Sequence, residues 1–303
     1  MRVAAIDCGT NSIRLLVADL SENALVDVVR EMTIVRLGQG VDQTGRLAPE
    51  AIERTRVALA GYAAQIRELG AERVRMVATS ASRDASNADD FRAMVQSTLG
   101  TAPEVISGDE EARLSFSGAV RGLSGGEPPY LVVDIGGGST EFVLGTAGVD
   151  AARSVDIGCV RLTERHLHGD PPTPAETAAT ERDIVSAVDL ARAAVPVEKA
   201  RTLVGLAGSV TTVTALALGL DAYDPGKIHH ARITRDQVAE VTERLLAQTR
   251  EERAAYPVMH PGRVDVIGAG ALVLRVLMDE VGAESVVASE HDILDGIAWS
   301  LAD

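Results

Sequence analysis

Apolar runs of strand length alternate with longer amphipathic segments along the chain. The runs VAAI (3–6) and YLVV (130–133) are each followed at once by an aspartate, as in a buried strand that leads into a polar site. Residues 50–69 carry apolar side chains at helical spacing, and the glycine that follows them is a typical helix stop. Strands that alternate with helices in this way predict an α/β fold.

Capping boxes mark further helix starts. TPAE (173–176) and TRDQ (234–237) each place a threonine three residues before a Glu or Gln, so that the two side chains can satisfy the first backbone N–H groups of a helix. Ser107 and Glu110 form a third such box within ISGDEEARL. On that interpretation Glu110 folds back on its own helix, and Glu111 is the freer acid.

The chain repeats itself once, at an offset of 127 residues. Residues 3–17 (VAAIDCGTNSIRLLV) and 130–144 (YLVVDIGGGSTEFVL) both consist of a strand, an aspartate, a Gly-rich turn and a second strand. The offset pairs Asp7 with Asp134, and it also pairs RMVATSAS with TLVGLAGS. Distant segments that share one register indicate a duplicated domain, so we expect two related lobes.

Length and turn signals place the domain boundaries. A chain of 303 residues is long enough for two domains, and the Gly/Pro-rich stretch GLSGGEPP (122–129) is the best linker. We expect an N-terminal lobe at 1–124 and a C-terminal lobe at 125–288. A final helix within 289–303 is expected to pack back on the first lobe.

Composition narrows the classes of partner. Lys and Arg number 29 against 44 Asp and Glu, and the net charge of −15 speaks against nucleic-acid binding through a basic face. The apolar runs are too short to span a bilayer, and the first residues do not resemble a signal peptide. Cys8 and Cys159 are too few for a disulfide framework. We therefore expect a cytoplasmic protein without nucleic-acid or membrane partners.

The segment DIGGGSTE (134–141) carries the strongest chemical signal. Its three consecutive glycines let backbone N–H groups approach a phosphate, and the Ser and Thr add hydroxyl donors. Asp134 ends a buried strand, where a hydrated Mg²⁺ would give its carboxylate a partner. A plain hairpin with a Gly-rich turn is the alternative. The first copy, DCGTNSIR (7–14), has fewer glycines, and two such turns facing each other would hold a polyphosphate from both sides.

Two other segments suit anions. Arg83 follows a strand and opens a helix, so its guanidinium and the local N–H groups point to an anion site. A surface pairing with Asp84 or Asp89 is the alternative. AGSVTT (207–212) is a turn of small residues from a strand into a helix, which suits a second phosphate or a nucleoside. Close packing of helix on strand explains that segment nearly as well.

Eight motifs occur in the order seen in one known family. They are DCGTNSIRLLV, ATSASR, ISGDEEARL, VVDIGGGSTEFV, GCVRLTE, GLAGSVTT, YDPGKIHH and SEHDILDG. Over nearly its whole length the chain resembles the short, two-domain members of the exopolyphosphatase/guanosine pentaphosphate phosphohydrolase (Ppx/GppA) family. The resemblance implies two RNase H-like lobes of the sugar kinase/actin/Hsp70 superfamily, with the active site in the cleft between them. Family members often have a glycine where His230 stands.

The resemblance also implies an activity, the hydrolytic release of terminal phosphate from inorganic polyphosphate with Mg²⁺, or Mn²⁺ in its place. Glu111 would act as general base on the attacking water and Glu141 would orient water or metal, while Asp134 and Asp7 would hold the metal. The turns and the resemblance together suggest these substrate-binding residues: Thr10, Asn11, Ser12, Arg14, Arg83, Gly136, Gly137, Gly138, Ser139, Gly208 and Ser209.

Several alternatives stay open at this level. Guanosine pentaphosphate or another nucleotide presents the same anhydride to the same residues. A kinase of the same superfamily and a non-enzymatic actin-like assembly protein are more distant alternatives. The sequence leaves open whether the chain forms a homodimer, which chain length or divalent ion it prefers, and what His229, His230 and the two cysteines do.

Overall fold

The computed structural model describes residues 1–124 and 126–302. Gly125, in the predicted linker and first in the predicted second lobe, and Asp303, last in the predicted final segment, lie outside the described residues. The chain divides into two compact units, Met1–Gly118 with the chain from Ile293 onward, and Ala119–Asp292. These divisions fall a few residues from the predicted ones, because packing defines the units whereas Gly and Pro mark only the turns.

Five strands form the sheet of the first unit, in the order β3-β2-β1-β4-β5. Their bounds are β1 Arg2–Cys8, β2 Ser12–Leu20, β3 Leu25–Ile34, β4 Arg73–Ala78 and β5 Glu104–Val105. The first three strands are antiparallel, whereas β4 is parallel to β1 and β5 is parallel to β4. This order and these directions are those of an RNase H-like domain, as expected.

Helices cover both faces of the first sheet. Their bounds are α1 Val41–Thr44, α2 Pro49–Leu69, α3 Ser80–Asp84, α4 Ala88–Leu99, α5 Gly108–Val120 and, at the end of the chain, α13 Ile293–Trp299. Ala4 and Ile6 of β1 lie in one core with α2 and α4, whereas Val3 and Ala5 lie in another with α5 and α13. Because β1 is buried on both faces, its sequence is a continuous apolar run.

The second unit repeats this sheet and adds one edge strand, in the order β10-β11-β9-β6-β7-β8. The bounds are β6 Tyr130–Ile135, β7 Thr140–Gly145, β8 Val149–Val155, β9 Thr202–Leu206, β10 Arg232–Thr234 and β11 Ser285–Ala288. Strands β6, β7 and β8 are antiparallel, β9 and β11 continue in parallel, and β10 pairs antiparallel with β11. The predicted duplication is thus visible in the topology of both sheets.

The helices of the second unit include the two whose starts the threonine capping boxes predicted. They are α6 Cys159–His166, α7 Pro174–Arg192, α8 Ala207–Ala217, α9 Pro225–Ile228, α10 Arg235–Ala247, α11 Arg250–Ala254 and α12 Ile267–Val281, with 3₁₀ turns at Val197–Lys199 and Pro261–Arg263. Both predicted threonine capping boxes form, at the starts of α7 and α10. In the first unit, α2 ends at the predicted glycine, Gly70, which adopts a left-handed conformation with φ of 69°.

No helix within the described residues combines the length and the apolar composition needed to cross a bilayer.

Candidate active site

The glycine turn between β6 and β7 is bound on one side by the first turn of α6. The backbone N–H of Cys159 donates to the carbonyl of Gly136 at 3.0 Å. The N–H groups of Val160 and Arg161 donate to Gly137 O at 2.9 and 3.1 Å. The Arg161 side chain completes the set, because its Nε donates to Gly138 O at 2.7 Å. All three glycine carbonyls therefore lie on the α6 side of the turn.

This arrangement fixes where the N–H groups of the turn point. In a trans peptide the C=O of one residue and the N–H of the next point in opposite directions. With the three carbonyls directed at α6, the N–H groups of Gly137, Gly138 and Ser139 point away from it. Within the described residues, those of Gly137 and Gly138 donate no hydrogen bond. Consecutive N–H groups that point the same way are typical of an anion-binding concavity. Phosphate binding by this turn stays a prediction.

Gly158 allows α6 to approach the turn this closely. It is the N-cap of α6 in an extended conformation, and a Cβ at this position would overlap the backbone of Gly137 and Gly138. This glycine belongs to the GCVRLTE motif, where the sequence alone gives it no role. A Gly immediately before a helix is a common signal, and only the three-dimensional contact shows what it packs against.

In the first unit, the turn between β1 and β2 is held in a similar way, by backbone hydrogen bonds and close packing on a glycine. Gly9 N donates to Ser12 O at 2.9 Å, as Gly136 N donates to Ser139 O at 3.0 Å. Asn11 O accepts from the N–H groups of Val35 and Arg36, and Thr10 O accepts from Gly38 N at 2.9 Å. A Cβ on Gly38 would overlap the Thr10 side chain. The predicted repeat therefore extends to individual hydrogen bonds.

The two turns differ in the charges beside them. Asp134 and Glu141 are directly opposite each other on β6 and β7, 8% and 1% exposed, and Ser154 Oγ donates to Glu141 Oε1 at 2.7 Å. In the first unit Asp7 is opposite Arg14, whose Nε and Nη2 both donate to Asp7 Oδ2, at 3.0 and 2.7 Å. The second turn therefore has two carboxylates where the first has an ion pair.

Two hydroxyl groups of the turns make hydrogen bonds within the protein. Thr140 Oγ1 donates to Ile157 O at 2.6 Å, so the expected donor at this position is engaged in the hairpin. Thr10 Oγ1 shares a hydrogen bond of 2.8 Å with Ser80 Oγ. Thr10 therefore contributes to the first turn mainly through its backbone. Ser139 is buried beside its turn, while Asn11 and Ser12 are half-buried.

Glu111 and Arg83 come together in the first unit. Arg83 Nη1 donates to Glu111 Oε2 at 3.0 Å and to Ile106 O at 3.2 Å. Glu111 is only 8% exposed. Arg83 thus pairs with a glutamate in the first turn of α5. The alternative considered from the sequence was a pairing with Asp84 or Asp89.

Only one of the two hydrogen bonds of the predicted capping box is present at the start of α5. Glu110 N donates to Ser107 Oγ at 3.2 Å, as a cap requires. The Glu110 carboxylate, however, accepts from Arg75 Nη2 at 3.1 Å instead of turning back to the backbone N–H of Ser107. Arg75 lies on β4, and it also binds Glu104 of β5. The expectation for the Glu110 side chain was wrong because a tertiary guanidinium outcompetes a local backbone N–H.

The start of α8 is closed by an arginine from a distant segment. Ala207 has a φ of 68°, a left-handed conformation that is rare outside glycine, and it leads the chain into α8. A Cβ on Gly208 would overlap the guanidinium of Arg263, which donates to Thr212 Oγ1 at 3.2 Å. Ser209 packs closely against Gly270. Close packing, the alternative weighed for this segment, therefore describes Ser209.

The two cysteines do not have the surroundings of a catalytic nucleophile. Among the described residues, the histidines are not grouped as a metal site requires. Both cysteines are free and buried, and burial raises the pKa of the Cys8 and Cys159 thiols. His230 has a φ of 64°, which explains why a glycine suits this position in the family. Its ring lies 3.7 Å from that of His229, centroid to centroid.

The donor set around Asp134 suits magnesium. Among residues 1–124 and 126–302, no three His, Cys, Asp or Glu side chains are grouped to hold a metal ion. Mg²⁺ commonly takes only one or two protein carboxylates and completes its shell with water and phosphate. Asp134 and Glu141, directly opposite each other on neighbouring strands, offer such a pair of carboxylates. Asp7 fits less well, because Arg14 already supplies its opposing charge.

These features together define a class of protein. Each unit is an RNase H-like domain with a polar turn after its first strand, and a buried acid lies in the first turn of α5. Such an arrangement suits the transfer of phosphoryl groups, which depends on positioning and on charge neutralisation. The chain belongs to the Ppx/GppA phosphatase family, whose model it matches over residues 16–303.

Individual relatives agree with this membership. The chain is 56% identical over 314 aligned residues to exopolyphosphatase 2 of Mycobacterium tuberculosis, covering 99% of this chain and 98% of that protein. A crystal structure of an exopolyphosphatase-like protein superposes with a TM-score of 0.97 at 44% identity, covering 99% and 97% of the two chains. An exopolyphosphatase from Cytophaga hutchinsonii gives a TM-score of 0.89 at 26% identity, over 99% and 97%. The expected family and enzyme class, a phosphoanhydride hydrolase, are confirmed.

Proposed function

We propose that this enzyme releases orthophosphate from the ends of inorganic polyphosphate. The observation that carries the proposal is the turn of the second unit, whose N–H groups at Gly137, Gly138 and Ser139 point to one side. A terminal phosphate presents several anionic oxygens, and such a turn binds them without needing a positive side chain. The name of the M. tuberculosis relative, exopolyphosphatase 2, supports the same substrate.

The N–H groups of the turn would do most of the electrostatic work. Charge on the oxygens of the transferred phosphoryl group must be stabilised as the bridging bond breaks. Donors fixed in advance stabilise that charge without reorganising during the reaction. The carbonyls of the turn are held by α6, so its N–H groups are fixed in this sense.

Glu111 is the proposed general base. It would take a proton from the water that attacks the terminal phosphorus, in line with the bond to the leaving group, which is the polyphosphate shortened by one unit. Its carboxylate is buried and is held by Arg83, so its direction is set before substrate binds. Arg83 would also contact phosphate oxygens, and Glu141 would orient the attacking water.

Asp134 is the proposed magnesium ligand, with Glu141 beside it and Asp7 as a weaker candidate. Bound there, Mg²⁺ would neutralise negative charge on the phosphate oxygens and on the leaving group. Mn²⁺ has the same preference for oxygen ligands and is expected to replace it.

Oxygen-18 labelling tests the reaction class. When polyphosphate is hydrolysed in H₂¹⁸O, attack of water on the terminal phosphorus places one ¹⁸O in each orthophosphate released, and mass spectrometry counts it. Orthophosphate without label, or a phosphorylated acceptor in its place, would contradict the proposal. A variant in which Glu111 is replaced by Gln serves as the control for a contaminating phosphatase.

A cytoplasmic location is part of this proposal, supported by the two free, buried thiols. Cell fractionation tests it. Homodimer formation stays a prediction, to be checked by sedimentation.

A further inference from the structure

Arg161 contacts the glycine turn between β6 and β7 (residues 136–139, called the phosphate turn from here on), and the proposed chemistry gives this contact no role. It is the third residue of α6, and its Nε donates to Gly138 O at 2.7 Å. Among the described residues this Nε is the only donor to that carbonyl, whereas the carbonyls of Gly136 and Gly137 accept from backbone N–H groups. One of the three peptide planes of the turn is thus held by a side chain.

We propose that Arg161 is a positioning residue for the phosphate turn, because it fixes the Gly138–Ser139 peptide so that the Ser139 N–H points at the bound phosphate. The contact is geometric and independent of the substrate, whereas its effect on turnover rests on the proposed function. A glycine peptide bound by no other donor turns easily, since Gly populates both signs of φ about equally.

The bond also polarises the peptide it holds. A guanidinium N–H donated to a carbonyl is a charge-assisted hydrogen bond, shorter and stronger than a neutral one. Hydrogen bonds in series strengthen one another. The Ser139 N–H is at the other end of the same peptide, so Arg161 makes it a better donor toward an anion.

Other contacts already hold α6 in place. The N–H groups of Cys159 and Val160 bind the turn without the Arg161 side chain. At the opposite end of the helix, Arg165 Nη1 and His166 Nε2 bind Asp183 of α7, at 2.7 and 3.0 Å. We therefore expect the loss of the Arg161 side chain to affect the turn more than the helix.

Two substitutions separate the hydrogen bond from the charge. Gln carries its Nε2 the same number of bonds from Cα as Nε of Arg, so Arg161→Gln retains a neutral donor to Gly138 O. Arg161→Met has nearly the same length and no donor. Arg165→Gln is the matched control, because it removes an arginine one turn further along the same helix.

We expect Arg161→Met to lower kcat/KM for polyphosphate about 10–100-fold, the usual scale for a lost hydrogen bond to a charged group. The inhibition constant of inorganic phosphate should rise in parallel, since phosphate meets the same N–H group. Arg161→Gln should recover a substantial part of both losses. Arg165→Gln should stay within about twofold of wild type, because Arg165 binds at the opposite end of α6 and His166 still holds Asp183.

Three outcomes would overturn the assignment: an Arg161→Met enzyme with wild-type constants, a Gln variant as impaired as the Met variant, or a control that falls equally far. An inactive wild type would instead count against the proposed function. A second readout is independent of turnover. It is the change in the backbone amide chemical shifts of Gly138 and Ser139 when inorganic phosphate is added. If Arg161→Met does not fold, Arg161→Gln decides, because a Ser139 shift equal to that of wild type would contradict the role of the guanidinium.

Discussion

Glu110 and Glu111 are neighbours in sequence with different surroundings in the first turn of α5. Glu110 is paired with Arg75 and is half-buried, whereas Glu111 is buried and paired with Arg83. The sequence separated the two acids through the capping box, and the structure separates them through different arginines. The conclusion that Glu111 is the candidate base is the same, although half of the capping argument was wrong.

Replacing each acid by glutamine tests this assignment. Removal of a general base typically costs ~10²–10⁴ in rate, so we expect Glu111→Gln to lose turnover on that scale while still binding polyphosphate. Glu110→Gln should keep near-normal turnover, because Gln can still accept a hydrogen bond from Arg75 and Arg75 keeps its ion pair with Glu104. Measurements of kcat and melting temperature for both variants check this. A dead Glu110→Gln enzyme beside an active Glu111→Gln enzyme would reverse the assignment.

Residues that act through their neighbours were the hardest to find. The glycines of the DIGGGSTE turn and its aspartate could be named from residue type and spacing alone, whereas Glu111 was named as the base only with the help of the family resemblance. Arg161 and Arg263 could not, because nothing in their local sequence shows that one binds a carbonyl of the turn and the other covers Gly208. Such roles depend on which elements pack together, and only the fold specifies that.

At the scale of elements, the phosphate turn and α6 form one structure. The helix has Gly158 as its N-cap and no side-chain cap, and its first N–H groups donate to the carbonyls of the turn. The turn in exchange presents its own N–H groups on the other side. Capping boxes at α7 and α10 were predictable because they are local, whereas this cap is formed by a strand–turn segment about twenty residues earlier in the chain.

A methyl group at Gly158 should break this structure. We expect Gly158→Ala to displace the turn, to lower kcat/KM at least tenfold and to destabilise the protein by ~1–3 kcal/mol, as overpacking usually does. Gly148→Ala is the control, since a Cβ there meets open space in the neighbouring β7–β8 turn. Assays of activity and thermal unfolding compare the two. Equal activity of both variants would mean that the contact between Gly158 and the turn has no catalytic value.

At the scale of the whole molecule, the two units share the strand order of the duplicated sheet but differ in the charges beside their turns. The strand order, the turns and even the Gly9–Ser12 and Gly136–Ser139 hydrogen bonds repeat. The residue opposite the aspartate does not repeat, because it is Arg14 in the first unit and Glu141 in the second. The sequence contained this difference, but its meaning required the register that places the two residues face to face.

The asymmetry leads to a prediction about metal. Substrate and protein are both anionic, so activity should vanish with EDTA and return with Mg²⁺ or Mn²⁺. Asp7→Asn and Asp134→Asn should each lose turnover. Only Asp134→Asn should raise the Mg²⁺ concentration for half-maximal rate, because Asp7 is already neutralised by Arg14. Titrations of Mg²⁺ against initial rate check this, and full activity in a thoroughly chelated sample would contradict it.

Phosphate release from a panel of anhydrides tests the central claim most directly. The purified enzyme would be assayed with Mg²⁺ on polyphosphates of several defined lengths, guanosine pentaphosphate and ATP, with Glu111→Gln in parallel. The account predicts that wild type releases orthophosphate from polyphosphate with the highest kcat/KM of the panel, and that the variant loses this activity ~10²–10⁴-fold. A wild-type enzyme that releases orthophosphate only from the nucleotides, or a variant as active as wild type, would contradict it.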